Sequence, residues 1–296
     1  MDKPWKIVKS GFPPCGHGTK MLNTGECPSF FEWNGYKYLI MGVTGFWRTE
    51  KNSDKYIDYA AKGYDVYEGL SVPMAVKTDD GRVIMAGWLG GAGWGSCVVH
   101  RDLLQFEGGN LGTKWLPELF PKTEHLCDIE GLSAEILPKT SYYIDIKLEK
   151  NDSDFFAVRF SDGENEVELK LNFKGNSAQY SIAEGCDVCE DIPSLYKTVK
   201  DIKDDENFRS FGFSLPGKTP AKCGDFSIPH VEFGTDKVSL RIMLCYSEKI
   251  NSTIIDAEIN QSRTLISNRV GFFPKQIKLI SERTKITEAS LFKADI

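Results

Sequence analysis

The chain has 296 residues, of which 41% are hydrophobic and 26% charged, the composition of a globular protein with one large or two medium domains. Its net charge of −6 argues against a nucleic-acid partner or an anionic membrane surface, since either calls for a basic face. No apolar run approaches the roughly 20 residues that span a bilayer, and eight cysteines are too few for a disulfide scaffold.

In chain order, the opening "MDKPWKIVKSG" lacks an apolar leader. No signal peptide is therefore expected, and a cytoplasmic location with reduced thiols is the default reading. The stretch "NTGECPSFFEWNGYKYLIMG" (23–42) then sets one acid, Glu26, ahead of an aromatic-rich segment. Short strands are predicted at "YKYLIMG" (36–42), "LSVPMAV" (70–76), "RVIMAGWL" (82–89) and "SCVVHRDLLQF" (96–106). Turn signals such as "WNG", "TDDG" and "LGGAGWG" separate them. The composition changes near 120–137, where Pro117, Pro121 and Pro138 punctuate the chain. All six tryptophans precede that region, and the acidic excess follows it. Two domains are expected, residues 1–124 and 125–296.

The second part alternates more openly. "YYIDIKLE" (142–149), "FFAVRF" (155–160), "EVELKLNF" (166–173) and "AQYSIA" (178–183) read as a meander with one wet face. A charged, partly helical stretch is expected at 195–208. Strands are predicted again at 226–233, 238–246, 252–259, 263–270, 276–280 and 285–294, the pattern of a β-sandwich. Asp256, Glu258, Arg263 and Arg269 alternate along two of them and read as cross-strand pairs on a sheet surface, with no catalytic role. Cys186 and Cys189 form a single CxxC with no second pair, so neither a metal nor a cofactor is expected. His17 stands alone, and "PCGHG" lacks the residues of a nucleotide loop.

Three segments in order resemble glycoside hydrolase family 32, the invertase, inulinase and levanase group. "GECPSFF" is similar to its Glu-Cys-Pro motif, "GYDVYEGLSVPMAV" to its Asp-Phe-Tyr-Ala segment, and "DGRVIMAGWLGGAGWGSCVVHRDLLQF" to the stretch that follows. The resemblance implies an all-β fold: the C-terminal blades of a β-propeller followed by a β-sandwich. It also implies retaining hydrolysis of β-fructosides or related glycosides, with Glu26 as general acid/base. Asp65 and Tyr67 would lie at the funnel, orienting that acid or the sugar, and Trp88 would offer the sugar an aromatic platform. His100 and Arg101 match a Pro-Arg pair of the family loosely, and Arg101 reads better as a structural arginine held by an acid.

The departures carry as much as the matches. A retaining glycosidase needs two carboxyl groups about 5–5.5 Å apart, one to attack and one to protonate the leaving oxygen. Neither the family's Asn-Asp-Pro-Asn nucleophile motif nor its Arg-Asp-Pro motif occurs in this sequence. Only the material of about two blades precedes the sandwich. The expected partner is therefore a carbohydrate, together with a second chain or further copies covering an open propeller edge. The rival expectation is a non-catalytic carbohydrate-binding or assembly module of the same descent. A related propeller family acting on arabinosides or xylosides shares the architecture.

Overall fold

A computed structural model describes residues 28–41, 45–58, 70–89, 97–182, 227–228 and 231–296. Among them every long element is a strand. The first four strands, β1 (Pro28–Trp33), β2 (Tyr36–Met41), β3 (Gly45–Thr49) and β4 (Tyr56–Asp58), form an antiparallel meander in that order. The β1–β2 turn is the expected Asn-Gly. Asn34 and Gly35 both take positive φ, 49° and 84°, the combination that a two-residue hairpin loop demands. A Cβ at Gly35 would also fall 2.4 Å from Asn52 Oδ1 and displace that side chain.

The second meander has the same plan: β5 (Leu70–Lys77), β6 (Val83–Leu89), β7 (Cys97–Gln105) and β8 (Leu111–Lys114). Pro73 is tolerated in β5 because β5 is an edge strand with a register break at that point. Strict alternation in β6 buries Val83, Met85 and Leu89 and leaves Ile84, Ala86 and Trp88 on the other face. The two meanders stack through their apolar faces, with Phe31, Tyr38 and Ile40 of the first meeting Val83, Met85 and Leu89 of the second. Each such side chain contributes about 1.5–3 kcal/mol when fully buried. Two four-stranded sheets stacked as blades are what the sequence predicts for this part.

The remaining strands build two six-stranded antiparallel sheets. One has the order β18-β17-β16-β11-β20-β9, with β9 (Lys122–Asp128), β11 (Tyr142–Glu149), β16 (Lys237–Ser247), β17 (Ser252–Ile259), β18 (Arg263–Val270) and β20 (Lys285–Asp295). The other runs β10-β19-β12-β13-β14-β15, with β10 (Ser133–Glu135), β12 (Phe155–Ser161), β13 (Glu166–Asn172), β14 (Ser177–Ile182), β15 (Ser227–Ile228) and β19 (Gln276–Ser281). Their inner faces share one core, with Ile144, Phe156, Phe160, Leu169, Tyr180, Leu240, Ile255 and Leu265 at its centre. Tyr180 locks the sheets together: its hydroxyl lies 3.1 Å from the Ile255 carbonyl and 3.3 Å from that of Leu265. The protein is thus all-β, two propeller blades followed by a β-sandwich.

The strand expected over 226–233 is corrected. Only Ser227–Ile228 pairs with β14, and Val231 and Phe233 instead enter the sandwich core outside any strand. The charged stretch 195–208 and the Cys186–Cys189 pair lie outside the described residues.

Candidate functional site

The two blades meet along their first strands. Ser29 Oγ of β1 accepts the Ala75 N–H of β5 at 2.8 Å. At the other end Tyr38 donates from its hydroxyl to the Gly109 carbonyl at 2.8 Å, and Gln105 bonds both the Trp33 carbonyl (3.2 Å) and the Tyr38 hydroxyl. Tyr38 is fully buried, and burial pushes its phenol up to about 12, so it serves as a hydrogen-bonding strut rather than as an acid.

Glu26 lies two residues ahead of β1, and Asp65 and Tyr67 lie shortly ahead of β5. All three candidates fall outside the described residues, as do His17 and Trp94. What the structure describes is the adjoining pair of strands, β1 and β5, that the two segments enter. Trp88 stands on β6, half-buried, beside Val98 of β7 on the face turned away from the first blade.

The second blade also docks on the sandwich. Thr113 of β8 donates its N–H to the Ser262 carbonyl at 2.9 Å, and Thr264 donates from both its N–H (3.1 Å) and its hydroxyl (2.8 Å) to Thr113 Oγ1. The approach is close enough to require glycine at 112: a Cβ would fall 2.4 Å from the Ser262 carbonyl oxygen and 2.6 Å from the Phe106 ring. Arg263 completes the seam. It grips Glu232 with two nitrogens, at 2.7 and 3.0 Å, and donates to the Leu111 carbonyl at 2.6 Å.

Beside the seam, blade, connector and sandwich enclose a groove of about 400 Å³. Its wall holds Arg101 of β7 and Asp256 of β17, paired at 2.8 Å with side chains only 3% and 15% exposed. Burial raises the Asp256 carboxyl above its usual range, and the Arg101 charge opposes that rise. Next along β17, Glu258 is engaged by Arg241 and accepts the backbone N–H of Trp115 at 2.7 Å. The Arg241 guanidinium stacks over the Trp115 ring, 5.2 Å from its centroid. Cys245 also lines the groove, and burial holds its thiol far from the reactive thiolate form.

These residues correct the expectation of cross-strand pairs on a sheet surface. Glu258, Arg263 and Arg269 are 1%, 3% and 4% exposed. Both faces of β17 and β18 are covered, one by the sandwich core and one by the blade, so each charge needs a fixed partner. The reading of Arg101 as a structural arginine held by an acid agrees with its pairing to Asp256. Sequence reasoning missed the Trp115–Glu258–Arg241 cluster, whose blade-side and sandwich-side members are 143 residues apart. Asp256 and Glu258 are each held by an arginine inside a joint, where neither can attack a sugar. Among the described residues no group of three or more His, Cys, Asp or Glu side chains could hold a metal, and no helix is long and apolar enough to cross a membrane.

No protein-family model matches the chain, and no curated protein sequence matches it. Solved structures do. An exo-inulinase from Aspergillus awamori superposes with a TM-score of 0.55 at 13% identity, over 92% of this chain and 58% of that one. A family 32 β-fructofuranosidase from Bombyx mori gives 0.53 at 14% identity, over 91% and 54%. Fructan 1-exohydrolase IIa from Cichorium intybus gives 0.53 at 12% identity, over 92% and 62%. The fold is glycoside hydrolase family 32-like. At these identities the likeness is one of fold, and the chain spans little more than half the length of each enzyme.

Proposed function

We propose that this chain contributes the acid/base half of a retaining glycosidase site acting on β-fructosides or related glycosides. The observation that supports it is the joint one of fold and position. In a family 32-like fold, the Glu-Cys-Pro segment leads directly into the first described blade strand. Glu26 is the general acid/base in this reading, Asp65 and Tyr67 orient it or the sugar, and Trp88 supplies apolar contact. Residues 1–124 then form a partial propeller and 125–296 the sandwich domain. A covalent nucleophile must approach the opposite face of the sugar, so it comes from further blades outside these two sheets.

A second reading, a carbohydrate-binding or assembly module that has lost the chemistry, is favoured by one specific observation. The sequence has no Asn-Asp-Pro or Arg-Asp-Pro motif, and the buried carboxylates of the described site are tied to arginines. The native assembly carrying Glu26→Gln separates the two. If hydrolysis is real, turnover of sucrose, inulin or an aryl fructoside falls by about 10²–10⁴-fold, the usual share of a general acid, while sugar binding persists. Binding of the sugar by the native assembly without any turnover would favour the second reading, and absence of both would sink each of them.

A further inference from the structure

The joint between the second blade and the sandwich opens along its length. At one end the backbones touch: Thr113 donates its N–H to the Ser262 carbonyl at 2.9 Å, far closer than the roughly 10 Å between ordinary stacked sheets. Leu103 of β7 lies across from Thr113, and Glu258 of β17 lies across from Thr264. The Thr113–Thr264 bond therefore sets Leu103 and Glu258 at one level of the joint. At the next inward position of each strand, toward its N-terminus, Arg101 meets Asp256 at 2.8 Å. One step further, Val99 and Ile254 share a buried cluster.

The same register leads to two sulfurs. The next inward position of β7 is Cys97, and the cross-strand neighbour of Ile254 on β16 is Cys245. Both cysteines pack against that cluster, and both line the groove beside the seam, one on its blade wall and one on its sandwich wall. Both are thiols in this structure and half-buried. Burial and the Asp256 charge raise the Cys245 thiol, the nearness of Cys97 adds to the rise, and Arg101 opposes it.

We infer that Cys97 and Cys245 form a reversible disulfide that fastens the second blade to the sandwich, made by exchange with a low-molecular-weight disulfide such as oxidised glutathione. Cys97 takes the first step, since Cys245 is held in its thiol form. The Cys97 thiolate attacks one sulfur of the reagent, giving a mixed disulfide and releasing one glutathione thiolate. Cys245 then gives its proton to solvent and attacks the Cys97 sulfur, releasing the second glutathione. Two protein thiols are oxidised and one glutathione disulfide is reduced to two thiols, so atoms and electrons balance. A raised thiol makes Cys245 a scarce attacker and a poor leaving group, so the bond closes slowly and reopens slowly. This inference concerns the joint alone and goes beyond the hydrolytic reading: it stands or falls whether or not Glu26 cleaves a sugar.

Peptide mapping of the folded full chain tests it. The protein is incubated with oxidised glutathione, alkylated, and digested without reduction. A peptide joining residues 97 and 245 is expected. The thermal transition should rise by about 5–10 °C, because the bond closes a loop of more than a hundred residues. Dithiothreitol should abolish both changes. Cys245→Ala should stop at glutathione-bound Cys97 and show no thermal gain. Cys97→Ser, at the half-buried start of β7, repeats the test where the packing is less disturbed, and should also show no gain. Mapping of the parent protein needs neither variant. Glutathione on the exposed Cys127 shows that the reagent has acted. Its presence without any 97–245 peptide overturns the inference. So does a 97–245 link that forms equally well in urea, where the fold no longer brings the two together, or a thermal gain that survives in both variants.

Discussion

The second blade has one face that is finished and one that is not. Its inner side meets the first blade through Met85 and Val83, and the sandwich through Arg101, Leu111 and Thr113. Its outer side presents Met74, Val76 and Val98 to solvent. Both faces are built from the same alternating strands, so alternation alone cannot say which face of a blade finds a partner within its own chain. The difference lies in what is attached: the inner face has buried charges fixed by specific partners, while the outer face has apolar area with its few charges paired among themselves.

The largest effect should come from breaking the finished face. Arg101→Met leaves Asp256 buried beside the sandwich without its cation, and a loss of about 3–5 kcal/mol is expected in chemical denaturation. Adding Asp256→Leu should recover much of that loss, because the cost lies in the stranded charge. If Arg101→Met proves as mild as a surface change, the joint is not held as described. A smaller loss, about 1–3 kcal/mol, is expected for Gly112→Ala, whose new Cβ must displace the Ser262 carbonyl or the Phe106 ring. On the unfinished face, Val76→Thr should change the stability of the single chain by no more than about 0.5 kcal/mol.

The smallest effects are electrostatic, and their signs oppose one another. Asp80 accepts hydrogen bonds from Thr78 and Arg82, and Glu118 accepts from Arg82, which holds both carboxyls below their usual range. Their contribution is present above the unfolded-state values and is lost as pH falls through the lowered folded ones. Asp256 is raised by burial, so its contribution is full below the unfolded value and is lost as pH rises through the folded one. Thermal melts of Arg82→Ala across the acid range should show a shallower acid loss than the parent, with the difference shrinking in high salt. A difference that grows with salt would contradict the assignment.

Much of the fold was legible because period-two patterns are local. "VIMAGWL" declares its buried face in seven letters, and β12 to β14 read as a meander from alternation and turns alone. Other elements lacked such a signal. β9, "KTEHLCD", is exposed along its whole length and is a strand because β20 pairs with it, which no local pattern announces. Asp256, Glu258 and Arg263 misled for the same reason: alternating charges look solvated until a distant blade covers them. The candidate site was legible only through motif resemblance. Glu26, Asp65 and Tyr67 stand in segments leading into strands, outside the residues the structure describes.

The contrast between the two faces is tested most directly by radical footprinting of two methionines on the same sheet. Met74 is 49% exposed on the outer face, and Met85 is fully buried on the inner one. Oxidation should leave Met85 protected. Met74 should react readily. Equal reactivity of the two methionines, or protection of Met74, would contradict the account.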